Sequence, residues 1–301
     1  MMVIVPGLAL ALMGLQLACG PTTAAQDLIP SPAATALPER HTDYAAACEA
    51  AKQQGKMLLI IFQTPGGDRA SEAFEKKTLA EPRIQQRLSR FIIAALPLDA
   101  TIRIHGQPTR LLDHPSFAEM QQRQGIAMID FANPGSSHFG AVVSTFPFSP
   151  GLYYTAEPVI AMLDLPPGTL TQRTMIFAVR THPERPASAS SGQFHPVLAS
   201  EAQSHSDHQA RIRVQGHHSW ETRFHRINAR VGDGSSATEV VAESWPGETL
   251  VEAAIECVHS WRQSPGHWGA VRSAHNGFGF DIRRGGNGIW YATGIFSGFR
   301  H

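Results

Sequence analysis

Cysteine is nearly absent from this sequence: 301 residues carry three, Cys19, Cys48 and Cys257. Thiols spaced so widely form neither a disulfide framework nor a sulfur-based metal motif. Charge is scarce too. Charged residues make up 17% of the chain, below the roughly 25% usual in soluble domains. The 25 Lys and Arg balance the 25 Asp and Glu, so no bulk field recruits nucleic acid or an anionic membrane surface. What the sequence does hold is histidine. Of its 15 histidines, 10 lie between His182 and His275, which concentrates groups that titrate near neutral pH in the C-terminal half.

Met1 to Gly20 contain no charge and a run of Leu, Ala, Val and Ile. The run is too short for a spanning helix and reads as the apolar region of an export signal. Leu17-Ala18-Cys19-Gly20 resembles a bacterial lipoprotein box, with Cys19 as the lipidated residue; an ordinary cleavable signal is the alternative. Either way the expected location is extracytoplasmic (periplasm, cell surface or secreted), with membrane contact through a lipid anchor only. Residues 21–41 are rich in Pro, Ala, Ser and Thr and read as a tether.

From residue 42 the pattern is α/β. Thr42-Asp43 caps an Ala-rich helix ending at Gly55, and Lys56 to Phe62 is an apolar run of strand length. Residues 63–69 form a turn, Ser71 to Leu88 a helix, and Arg90 to Leu96 a second buried strand, which predicts a right-handed crossover and a parallel pair. This order over residues 42–165 resembles a thioredoxin-like domain. The redox motif of that fold falls on Thr64-Pro65-Gly66-Gly67-Asp68, where no thiol stands. Disulfide exchange needs two thiols, so the segment is expected to serve as a scaffold or recognition module and not as a disulfide oxidoreductase.

Leu165-Pro166-Pro167-Gly168 marks the expected start of a second domain, 166–301. Thr169 to Arg180 reads as a helix. A second helix from Pro196 places Leu198, Ala202, His205, Gln209 and Ile212 on one face. Thr249-Leu250-Val251-Glu252 is a capping box, and Leu250, Ala254, Cys257, Val258 and Trp261 form the buried stripe behind it. Phe278 to Ile282 and Ile289 to Phe296 alternate as a terminal hairpin around Arg283 to Gly288.

Three segments carry polar chemistry: Gly216-His217-His218-Ser219-Trp220, Ala242-Glu243-Ser244-Trp245, and Trp261 through Ser264-Pro265-Gly266-His267-Trp268. With the terminal Tyr291-Ala292-Thr293-Gly294-x-Phe296, they resemble the CAP superfamily (cysteine-rich secretory, antigen 5 and pathogenesis-related proteins), in its bacterial branch. The resemblance covers about residues 169–298 and implies an α-β-α sandwich with a cleft of two histidines and acidic residues. Carried over by position, His267 is the Gly-His histidine, His217 (or its neighbour His218) the other, and Glu243 the acid. Ser264 stands where a second acid is usual, so His217, Glu243 and His267 are the expected catalytic or binding set.

His218, Ser219, Trp220, Ser264 and Trp268 are expected to line the cleft. His217 and His267 are candidate ligands for zinc, with an open position for water. Neither Ser219 nor Ser264 lies in a Gly-x-Ser-x-Gly elbow. The resemblance implies a binding cleft for a peptide, glycan or lipid. A metal-assisted hydrolase on the same His/Glu/His cluster and a non-catalytic envelope adaptor are the alternatives. His205, on an apolar face, reads as a hydrogen-bonded core histidine, and Glu239, Glu248, Glu252 and Glu256 read as solvated charges.

Overall fold

The computed structural model describes residues 40–104, 106–149, 152–232 and 236–298. The apolar leader 1–20, Cys19 and the tether up to residue 39 lie outside the described residues. The architecture is α/β, with mixed parallel and antiparallel strands.

Arg40–His41 (β1) leads into Tyr44–Gln54 (α1), which Asp43 caps by accepting a hydrogen bond from the Ala46 amide, and which Gly55 ends in the left-handed conformation. Met57–Gln63 (β2) follows. The single helix expected over 71–88 is broken in three: Arg69–Ala73 (α2), a π-helical stretch Phe74–Leu79, and Pro82–Leu88 (α3). Pro82 at the first turn of α3 lacks the amide a continuous helix needs, so the break falls there. Phe91–Pro97 (β3), the small ribbon Thr101–Ile104 (β4) with Gln107–Arg110 (β5), Gly125–Ile129 (β6) and Val142–Pro147 (β7) complete the first half. One sheet runs β1-β3-β2-β6-β7, with β3 parallel to both β1 and β2 and the β6 and β7 pairings antiparallel. β3, and β2 as far as Phe62, are apolar because the sheet is covered on both faces. Leu58, Ile60 and Phe62 face one cluster with Ala47, Ala51 and Phe117. Leu59 and Ile61 face the other.

The chain continues through Ala156–Leu163 (α4) and Leu170–Thr181 (α5), started by a capping box of Thr169 and Gln172. Then come Gln193–Phe194 (β8), Pro196–Ile212 (α6), Trp220–Val231 (α7), Ser236–Glu243 (β9), Leu250–Gln263 (α8), Pro265–Arg272 (α9), Gly277–Arg284 (β10) and Trp290–Gly298 (β11). The second sheet has the order β8-β10-β11-β9. One face packs on α6 and α7 through Leu198, Ala202, Ile227, Ala237 and Ile295. The other packs on α5, α8 and α9 through Val240, Cys257, Val258, Trp261 and Phe280. α6 lies close to β10 because Gly279 has no side chain: a Cβ there would fall on the backbone of Leu198 and Ala199, 2.6 Å from Ala199 Cα.

The boundary expected at residues 165–168 is the short connection into α5. That helix is buried over Gln172 to Val179 and touches both sheets, with Phe177 on Phe146 of β7 at 4.6 Å between ring centroids. The hydrophobic cluster beneath the second sheet is therefore continuous with one face of the first. No helix among the described residues is long and apolar enough to cross a membrane.

Candidate functional site

β9 and the helix ends around it bring the polar residues together. His217 lies in the loop between α6 and α7, and His267 in the first turn of α9, just after Pro265 and Gly266. Their Nε2 atoms are 3.3 Å apart, and the rings tilt at 43° with centroids separated by 5.5 Å. His217 Nδ1 lies 3.0 Å from Glu239 Oε1. A carboxylate accepts, so Nδ1 carries the hydrogen and Nε2 faces His267.

The carboxylate at this pair is Glu239, not Glu243. Both belong to β9 and, four residues apart, point to the same side of the strand. At about 3.3 Å per residue they stand roughly 13 Å apart. Glu243 is exposed at the end of β9, opposite Tyr291, and its side chain makes no hydrogen bond among the described residues. Glu239 is buried, with its side chain 1% exposed. It accepts from His217 and from Arg223 Nη2 of α7, and lies 3.8 Å from His205 Nε2. Burial pushes its carboxyl pKa up, but the hydrogen bonds from His217 and Arg223 outweigh that and hold it below the ordinary glutamate value.

His267 is half-buried, and its pKa is lowered first by that burial and then by His217 facing it. The pair thus turns both Nε2 atoms toward one point, with an anchored carboxylate behind His217. His217, with 42% of its side chain exposed, leaves the pair open to solvent.

The other expected lining residues divide. His218 turns away from His267: its Nε2 donates to the Val214 carbonyl at 3.2 Å, and its ring sits 5.4 Å from His208 and 6.0 Å from His205. His217 is therefore the histidine of the pair. Ser219 is exposed, in the left-handed region (φ 53°), at the start of α7. Trp220 is half-buried against Phe224, with the Arg223 guanidinium 5.5 Å from its ring. Ser264 joins α8 to α9, its carbonyl accepting from the Trp268 amide at 2.8 Å. Trp268 does not line the histidine pair. One position along α9 from His267, its ring rotates about 100° away to pack on His182 at 4.8 Å and to donate to Glu184 Oε2 at 3.0 Å.

His205 is the core histidine the apolar face implied. It is 2% exposed, and its Nε2 donates to the Gly216 carbonyl at 2.9 Å. Burial, with Arg223 and His218 nearby, lowers its pKa to about 4 despite Glu239. The unfolded imidazole takes up a proton near the ordinary value of 6.5, whereas the folded one waits until about 4. Between these values the unfolded state binds more protons, so this contribution to stability is intact above pH 6.5 and is lost as pH falls toward 4. Denaturant melts across that window should show stability falling with acid. His205→Gln, which cannot titrate, should flatten the slope, and an unchanged slope would remove His205 as the cause.

Among the described residues no cluster of three or more His, Cys, Asp or Glu has metal-holding geometry. The protein offers a divalent ion two nitrogens. Their 3.3 Å separation matches the edge of a tetrahedron with metal–nitrogen bonds of about 2.0–2.1 Å. The histidine–carboxylate contact is the outer contact such ligands use. The residues therefore fit an open site with two protein ligands and do not fit a closed structural zinc site.

A scan of family models finds no match to the chain, and a search of curated proteins finds none. Among solved structures, an outer surface protein from Borrelia burgdorferi is similar over 36% of this chain and 78% of that one, with 18% identity and a TM-score of 0.29.

Proposed function

We propose that the chain is an exported CAP-like protein that binds a peptide, glycan or lipid in the open cleft at His217 and His267, with a divalent cation such as zinc as part of the recognition surface. The observation that carries this reading is the Nε2–Nε2 approach of 3.3 Å with His217 fixed from behind by Glu239. Two imidazoles would hold zinc and leave positions for ligand oxygens, and a bound ion would draw a carboxylate, carbonyl or hydroxyl toward them. A sheet flanked by α6 and α7 on one face and by α5, α8 and α9 on the other supports the CAP-like reading of the second half. The order β1-β3-β2-β6-β7 supports a thioredoxin-like reading of the first, as a scaffold without redox thiols.

Binding is favoured over metal-assisted hydrolysis by the state of Glu239. A general base must be free to take a proton from water. Glu239 is buried, ion-paired to Arg223 and committed to His217 Nδ1.

Zinc titration of the purified protein, followed by calorimetry and thermal melting, tests the proposal. Zinc should raise the melting temperature of wild type and of His218→Ala, whose ring points elsewhere. His217→Ala and His267→Ala should each abolish most of the shift. Protons compete for the same nitrogens, so zinc affinity should fall as pH drops through the histidine range. Equal loss in His218→Ala, or no shift in wild type, would defeat the assignment.

A further inference from the structure

We propose that a second cleft, between the end of α6 and the tip of the β10–β11 hairpin, binds a phosphate group, free or carried as an ester or lipid headgroup. The cleft has a volume of about 510 Å³, and its lining includes Arg211, Arg213, Arg283, Arg284, Asp207 and Trp290. One of the four arginines is already neutralised: Arg283 Nε lies 2.7 Å from the buried Asp281 and 3.2 Å from Asp207. The other three have no carboxylate partner among the described residues. Arg211 Nη2 donates to His208 Nδ1 at 3.1 Å, and Arg284 lies 5.9 Å from the Trp290 ring centroid.

The backbone is arranged to put these groups there. α6 ends on Arg213 in the left-handed conformation (φ 58°), a position that ordinarily favours glycine. Glycine would relieve the backbone but carry no guanidinium. Opposite it, the hairpin tip has Gly286, where a Cβ would meet Arg213 Nη2 at 3.3 Å. A side chain at Gly286 would press on the Arg213 guanidinium and push it back by a few tenths of an ångström. Like charges gathered without partners repel one another, and an anion between them reverses the sign of the interaction.

The chemistry of that anion follows from the donors. A guanidinium fork satisfies two oxygens, so one arginine suffices for a carboxylate. Four arginine side chains line one cleft, and two of them, Arg213 and Arg284, have no hydrogen-bond partner among the described residues. Two free forks suit a group with three terminal oxygens and more than one negative charge, which is phosphate. Asp207 faces the cleft as its one lining carboxylate and is engaged by Arg283. The site is separate from the histidine pair, so the two readings stand or fall independently.

Calorimetric titration of the full chain with sodium pyrophosphate, against sodium sulfate at matched low ionic strength, tests the proposal. Pyrophosphate should bind at least about tenfold more tightly than sulfate, and Arg213→Ala/Arg284→Ala should lose about tenfold or more of that affinity. Arg213→Lys/Arg284→Lys, which keeps the charge but not the fork, should lose most of it as well. Arg69→Ala/Arg272→Ala removes two exposed charges elsewhere and should bind like wild type. Co-sedimentation with phosphatidate-containing phosphatidylcholine vesicles, competed by pyrophosphate, would place the phosphate on a headgroup. Pyrophosphate binding without sedimentation would place it on a soluble ester, and both results uphold the site. Equal affinity for sulfate, an unaffected Arg213/Arg284 variant, or equal loss in the Arg69/Arg272 control would overturn it.

Discussion

Glu239→Ala should destabilise the protein by about 3–5 kcal/mol, the range for breaking one partner out of a buried ion pair. The substitution leaves Arg223 in place, buried, with its Nη2 stripped of its acceptor; its Nη1 already has no hydrogen-bond partner among the described residues. It also removes the acceptor of His217 Nδ1 and the nearby charge on His205. Glu239→Gln keeps an oxygen for one of these donors but not the charge, and should fall between wild type and Ala. Zinc binding supplies a second readout. Losing the carboxylate behind a histidine ligand costs about 10–100-fold in metal affinity, and this loss should appear in Glu239→Gln even where the protein is fully folded. Glu243→Ala provides the comparison: with its carboxylate exposed at the strand end, it should leave both stability and zinc affinity close to wild type. Denaturant midpoints for the three variants decide the matter, and a Glu243→Ala effect as large as that of Glu239→Ala would reject the geometry.

The acid lies four residues earlier on β9 than the CAP-like pattern places it, at a glutamate that reads in the sequence as a solvated charge. Both glutamates lie on the same side of β9, and the choice between them depends on what lies across from each. Opposite Glu239 stand Arg223 of α7 and His205 of α6, brought there by the packing of two helices on the sheet. Nothing within eight residues of Glu239 in the sequence announces either partner. A usable signal did exist: Ala237 and Val241, the neighbours of Glu239 on its own side of the strand, are small and apolar. That marks this part of the side as buried, where a glutamate needs a cationic partner.

Local features were legible for a corresponding reason. The Asp43 cap, the Gly55 end of α1, the Thr249 capping box and the terminal hairpin each depend on residues a few positions apart, and the structure contains all of them. The choice of His217 over His218 was not legible, because adjacent residues in a loop have no periodicity to separate their directions. Nor was the continuity of the core through α5. The run Met175 to Val179 is buried on all sides because a sheet lies on each of two faces, and periodicity cannot reveal how many layers a helix touches.

Trp261→Ala should cost about 3–5 kcal/mol, the usual consequence of truncating a large buried aromatic. Trp261 is fully buried on α8, its ring 6.1 Å from that of Phe280 and enclosed by the cluster joining α5, α8 and the second sheet. Removing it opens a cavity beneath the last turn of α8, where the Trp261 carbonyl accepts from the Ser264 amide at 3.1 Å. α9 begins at the next residue and carries His267 in its first turn. The variant should therefore lose zinc affinity at temperatures where it remains folded, because the Nε2 atoms no longer hold their spacing. Trp261→Phe separates packing from polarity. The Trp261 Nε1 hydrogen has no acceptor among the described residues, and an orphaned buried donor costs about 1–3 kcal/mol. Phenylalanine leaves a smaller gap than alanine and removes that donor, so the two effects oppose each other. Trp261→Phe should therefore cost clearly less than Trp261→Ala and should keep its zinc affinity. If Phe proves as damaging as Ala, the indole nitrogen has an acceptor after all, and Trp261 anchors the Pro-Gly-His turn through a hydrogen bond and not through its bulk.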